Sequence, residues 1–207
     1  MASGDTKLSI CSDSLIMLGA SPLSSFSEGT DAAQICDRLY DDIAEFVLTL
    51  HPWAFSFKKV QLARTVDTPA TEFKYEYVLP ADIIGSGVRA VFNSSSAGAR
   101  PVNEGWTIVG DKLLTSLETV FVDYQFHVSE DVMPSYFVQL LKYWLSWHFA
   151  ETVTDQITKA QYYQVIAVGG AGDNGRGGMT RQAMQIDGSN KPNQAIEDFD
   201  LIAVRAT

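Results

Sequence analysis

The residues of this chain that could do chemistry are a run of glycines and a few carboxylate pairs. Gly170-x-Gly172-x-x-Gly175 matches the dinucleotide-binding fingerprint as a string. That fingerprint works between a strand and a helix N-terminus, where free N–H groups face a pyrophosphate. Here it follows a predicted helix and no Walker lysine comes after it, so it reads as a flexible loop and implies no cofactor. Carboxylates pair at Asp41-Asp42, Glu72 with Glu76, and Glu130-Asp131. Glycoside hydrolysis needs two acids facing each other across a sugar. Glu72 and Glu76, on one face of a predicted strand, are the candidates for it, though the same spacing describes a solvated surface. There is no G-x-S-x-G elbow, and His51, His127 and His148 stand in no triad-like or zinc-ligand context. Cys11 and Cys36 fall on predicted helix faces among apolar neighbours and read as small buried residues of a reducing compartment. These residues form no catalytic constellation, and the expectation is a protein that is not an enzyme and carries no metal.

Charge narrows the field further. The 207 residues hold 15 Lys and Arg against 25 Asp and Glu, a formal net charge of −10. A protein that grips DNA by its phosphates needs clustered cations; an acidic surface repels the duplex. No stretch approaches the length of apolar sequence that a membrane span needs, and Met1–Lys7 lacks the basic and apolar regions of a signal peptide.

The elements follow from periodicity. A helix is predicted over 5–18, with Asp5 as N-cap and Gly19 at its end. The clearest element is a helix over 30–50, where Ala32, Cys36, Leu39, Ile43, Phe46 and Leu50 form one stripe and Pro52 stops the chain. From Trp53 to Val128 the period changes to two. Phe73, Tyr75, Tyr77 and Leu79 alternate with polar neighbours, as do Val120, Val122, Tyr124, Phe126 and Val128. Gly110-Asp111 is a two-residue hairpin turn and Asn93–Gly98 a loop. A third helix over 134–153 is apolar almost all round, leaving Gln139, Lys142 and Ser146 as a polar stripe, with Glu130-Asp131 as its cap. A fourth covers 155–168. Six glycines in the ten residues 169–178 exclude a continuous helix there, and helical potential resumes over 179–186. The fold class is therefore α+β: a helical bundle with an inserted small antiparallel β module over about 53–128 and an extended C-terminal arm. The body spans 1–168 and the glycine-rich link and arm 169–207.

Taken in order, Leu8-x-Ile10-Cys11, Ser14-Leu15, Leu18-Gly19-Ala20, Ser25-Phe26-x-Glu28-Gly29-Thr30-x-Ala32-Ala33, Cys36, Leu39-Tyr40-Asp41, His51-Pro52-Trp53-x-Phe55 and Leu62-Ala63 form a specific string. It continues in Tyr75-x-Tyr77-x-Leu79-Pro80-x-Asp82 and the Pro134-x-x-Phe137 helix start. This order resembles the head-to-tail adaptors of short-tailed bacteriophages, the tail tubular protein A family, over about residues 8–165. The resemblance implies a structural virion protein of the neck, made in the host cytoplasm. It implies a ring of twelve copies that joins the portal to the tail nozzle, with DNA passing through without specific binding and no membrane contact.

The family also has a C-terminal arm that docks along the portal. Here that role would fall to Phe199, Leu201, Ile202, Val204 and Arg205. The glycine-rich interval departs from the family's pattern, in which the preceding helix continues with few glycines. Nozzle contact would fall to the free loop ends of the β module, Ser94, Ser95, Ser96 and Gly98, and Gly110 with Asp111. The alternative reading is a tail-associated cell-wall or polysaccharide hydrolase using Glu72 and Glu76.

Overall fold

The computed structural model describes residues 4–66 and 69–189. Five helices form the bundle: α1 (Lys7–Met17), α2 (Asp31–Thr49), α3 (Ser135–Thr154), α4 (Ile157–Val168) and α5 (Gly178–Ser189). Between α2 and α3 come six strands, β1 (Phe57–Gln61), β2 (Tyr75–Val78), β3 (Ile83–Phe92), β4 (Trp106–Val109), β5 (Lys112–Thr115) and β6 (Phe121–Phe126). The α+β architecture is the one expected.

Helix α1 starts at Thr6 and not at Asp5. The Thr6 hydroxyl accepts from the Ser9 amide at 3.2 Å while the Thr6 amide donates to the Ser9 hydroxyl at 2.9 Å, a reciprocal cap that a lone carboxylate cannot match. At the other end Gly19 takes φ +78°, and the Gly19 and Ala20 amides close on the carbonyls of Ile16 and Leu15, satisfying groups the last turn would otherwise leave open. Helix α2 is capped by the Thr30 hydroxyl. Its buried face is Ala33, Cys36, Tyr40, Ile43, Ala44, Val47 and Leu48, so the predicted stripe is rotated. Ala32, Leu39 and Leu50 are only partly covered and Phe46 is 52% exposed, although its ring meets Trp144 of α3 edge-on.

Helix α3 contacts each of the other four helices. Pro134 stands at its N-cap, and Glu130 and Asp131 lie in a separate 3-10 turn instead of capping it. Ser146, expected in a polar stripe, is fully buried, its hydroxyl donating to the Ser14 carbonyl at 3.1 Å. Lys142 reaches Asp13 at 2.6 Å, and Gln139 is exposed. Thus the bundle hides a small hydroxyl under α1 and leaves the long polar chains at the rim. Asp155 turns the chain in a left-handed conformation, φ 50°, and α4 starts two residues later than expected.

The β module consists of two three-stranded antiparallel sheets, ordered β1-β6-β3 and β2-β5-β4. Leu62, Tyr77, Leu79, Val91, Leu113, Val120, Val122 and Tyr124 form a second, smaller core between them. The predicted alternations at Tyr77 and Leu79 and at Val120, Val122 and Tyr124 face this core. The Gly110-Asp111 turn closes β4 on β5 with Val109 opposite Lys112. Strands β1 and β3 had no clean alternation to announce them: β1 is an exposed edge, and β3 shifts register twice between Ile83 and Ala90. Gln125 ties module to bundle, its side-chain N–H groups donating to the carbonyls of Leu48 and His51 at 2.7 and 3.1 Å.

The glycine-rich interval is an ordered turn and not a free link. The Gly177 amide donates to the Val168 carbonyl and the Asp173 carboxylate accepts from the Gly170 amide at 2.9 Å. Helix α5 then packs back on α3 and α4, so the bundle extends past Val168, where the body was expected to end. Phe199, Leu201, Ile202, Val204 and Arg205 lie outside the described residues.

Candidate interaction surfaces

The glycine fingerprint meets a carboxylate where a phosphate would have to sit. Asp173 Oδ2 occupies the Gly170 amide, so an anion there would face like charge. The two glutamates of the hydrolase reading do not oppose each other. Glu76 lies in β2 and is held by Lys112 at 2.6 Å, which keeps its carboxyl below the ordinary range; Glu72 lies outside the strand and is exposed. The same ion pair interrupts the predicted alternation, because it buries Glu76 beside Tyr77. Among the described residues, no three His, Cys, Asp or Glu side chains gather to hold a metal, and no helix is long and apolar enough to cross a membrane.

Cys11 and Cys36 are free, buried thiols in contact between α1 and α2. Hydrogen bonding to Cys36 together with burial pushes the Cys11 thiol well above its ordinary pKa. Both thiols are fully buried in the helical core.

One buried constellation escaped sequence reasoning. Asp187 of α5 is fully buried. Its carboxylate accepts from the Ala54 amide at 3.1 Å and from the Tyr136 hydroxyl at 2.7 Å, and lies 3.5 Å from His51 Nε2. Burial, then the bond to Asp187, raises the Tyr136 pKa. Beside it Trp53 is fully buried, its indole N–H donating to the Val47 carbonyl at 3.2 Å and its ring meeting Phe137 edge-on at 5.1 Å. The set of bonds uses the Tyr136 hydroxyl as a donor to Asp187. It clamps α5 onto the chain where α2 gives way to the β module. In the sequence, Asp187 stands just past the helical potential over 179–186, and nothing in its spacing points to His51 or Tyr136.

The loops expected to meet a tail component lie at opposite ends of β3. Ser95, Ser96, Ala97 and Gly98 are exposed after Phe92, with the Ser94 and Ser96 hydroxyls sharing a 2.9 Å hydrogen bond. Gly110 and Asp111 are at the start of β3, where they line an apolar groove of about 470 Å³ with Val78, Leu79, Pro80 and Ile108. They are two separate sites, not one patch.

The bundle exposes apolar groups as well. Ile157, Tyr162 and Val165 of α4 are each more than half exposed. Phe46 meets the Trp144 ring edge-on at 5.7 Å, and Trp144 and Trp147 border a groove of about 370 Å³ running to Val165 and Gly170.

No protein-family model matches this chain, and a search of curated proteins returned no match. Among solved structures, the chain is similar to one described as "Neck of empty GTA particle computed with C6 symmetry", at 14% identity and a TM-score of 0.28. The alignment covers 79% of this chain and 94% of that one.

Proposed function

We propose that this chain is a head-to-tail adaptor: a structural virion protein that forms a ring beneath the portal and receives the tail nozzle. The observation that carries the reading is the ordered string Leu8 to Phe137, whose signature residues each do a definable structural job. The Glu28 carboxylate accepts from the Ser24 amide and hydroxyl and from the Thr30 hydroxyl, and so holds the Glu-Gly-Thr turn that launches α2. The His-Pro-Trp segment ends α2 and places Trp53 against Phe137. Two large features thus meet at one joint, as a subunit that touches a partner at each end requires.

The exposed apolar face of α4 and the aromatic groove beside α3 suit contact with neighbouring copies, since soluble monomers rarely leave such surfaces uncovered. The groove at Gly110-Asp111 and the Ser94–Gly98 loop suit contact with the next tail component. The C-terminal residues Phe199, Leu201, Ile202, Val204 and Arg205 are assigned to the portal on the resemblance alone. In this reading the chain is not an enzyme, needs no cofactor and lets DNA pass without binding it specifically. Particles assembled without this chain test the reading: filled heads that lack tails are expected, and tailed infectious particles overturn it. Purified protein that degrades peptidoglycan or capsular polysaccharide would favour the hydrolase instead.

A further inference from the structure

Charge is unevenly distributed along this chain. Residues 4–52 hold eight acids and two bases, and the outer face of α2 displays Asp31, Asp37, Asp41, Asp42 and Glu45 beside a single base, Arg38. Lys7 engages Asp37 and Asp41. Among the described residues no ion pair engages Asp42 or Glu45, and Asp42 stands one turn before the exposed Phe46 at the lip of the Trp144–Trp147 groove. The result is an aromatic surface with an acidic rim.

The opposite composition occurs on the edge of the sheet β1-β6-β3. Phe57, Lys58, Lys59 and Arg89 line a groove of about 370 Å³ with Ala54 and Asp123. Lys58 is neutralised by Asp82. Lys59 pairs with Asp123 at 3.4 Å, which leaves Arg89 as the cation in excess, and Arg89 lies over the Phe57 ring, 5.2 Å from its centre. This surface is aromatic with a basic rim, and β1 is an edge strand with one side unpaired.

We infer that the two surfaces are the two halves of one subunit contact: the basic β1 edge of one copy docks on the acidic, aromatic α2–α3 face of the next. The inference rests on the ring reading and names the faces that make the ring. Because the surfaces differ, the contact is heterologous and propagates around an axis instead of closing a two-fold dimer. Aromatic groups at the centre supply the contact energy, and opposite rim charges set the orientation and disfavour α2 against α2.

Charge exchange tests this with the whole chain. One variant carries Asp42→Lys with Glu45→Lys, the other Lys59→Glu with Arg89→Glu; circular dichroism and thermal melts establish that both fold. Alone, each variant opposes like charges across the contact, and its self-association, followed by sedimentation at concentrations well above micromolar where the parent associates, should weaken about tenfold or more relative to the parent. Mixed in equal amounts they restore opposite charges at every contact, and association should return to near the parental value. Variants that associate like the parent, or a mixture that recovers nothing, overturn the pairing. So does parental protein in which carbodiimide forms no cross-link between Lys59 of one isotopically labelled copy and Asp42 or Glu45 of another. Those results leave the ring reading standing, because the phenotype of particles lacking the chain tests it separately.

Discussion

Trp53 shows how much one side chain holds here. It fills the joint between α2, α3 and the first strand, contacts His51, Phe55, Tyr136 and Phe137, and uses its only polar atom on the Val47 carbonyl. Trp53→Ala leaves a cavity bordered by rings that cannot all close in, and should cost roughly 3–5 kcal/mol. A chemical-denaturation midpoint unchanged from the parent would contradict its place in the core. His148 provides a pH test. It is stacked on Trp147 at 4.5 Å, and burial holds its imidazole below the ordinary pKa. The unfolded chain therefore binds this proton first, near about pH 6.5. The stability that the neutral ring contributes is present above that pH and lost as pH falls through the lower folded-state value. His148→Gln cannot titrate. Its melting temperature should fall less than the parent's between about pH 7.5 and about pH 5, and equal losses would contradict the assignment.

At the scale of elements, sequence pattern was legible where one face meets one core. Helices α2 and α3, the Gly110-Asp111 hairpin and the strand through Val122 and Tyr124 all announce themselves by period. What escaped depends on partners distant in sequence. The buried face of α2 is set by the elements packed on it, Ser146 is buried because the Ser14 carbonyl accepts its hydrogen bond, and β1 and β3 lack alternation because one is an edge and the other is bulged. Likewise the surfaces that could bind are only half legible. The two loops could be named in advance, but their separation along β3 and the Asp187 clamp belong to the folded chain. The α4–α5 turn was misread because glycine has two uses: freedom, or room for close approach. At Gly178 it is the second. φ is +52°, and an added Cβ would lie 2.2 Å from the Ile166 carbonyl oxygen. Gly178→Ala should destabilise by about 1–3 kcal/mol, whereas Gly172→Ala, with nothing within 4 Å of the new methyl, should be near neutral. Equal melting temperatures for the two variants would show the turn to be loose.

For the whole molecule, a small β core is tied to a larger helical core by Gln125 and the 51–54 segment, and the surfaces left exposed are apolar and opposite in charge. A net charge of −10 makes free copies repel at low salt, so the chain should be mostly monomeric at micromolar concentration and assemble on a template. Truncation after Asn190 keeps every described helix, including Asp187 in its clamp. On the proposed portal-docking role, the truncated chain should melt near the parental temperature and bind portal much more weakly; unfolding on truncation would make the removed segment part of the core. The proposed ring adaptor is tested most directly by imaging the purified chain mixed with portal protein. A closed ring of added density on the tail-facing end of the portal, absent from portal alone, is the result expected. Portal that gains no density, or gains it on the capsid-facing end, would contradict the assignment.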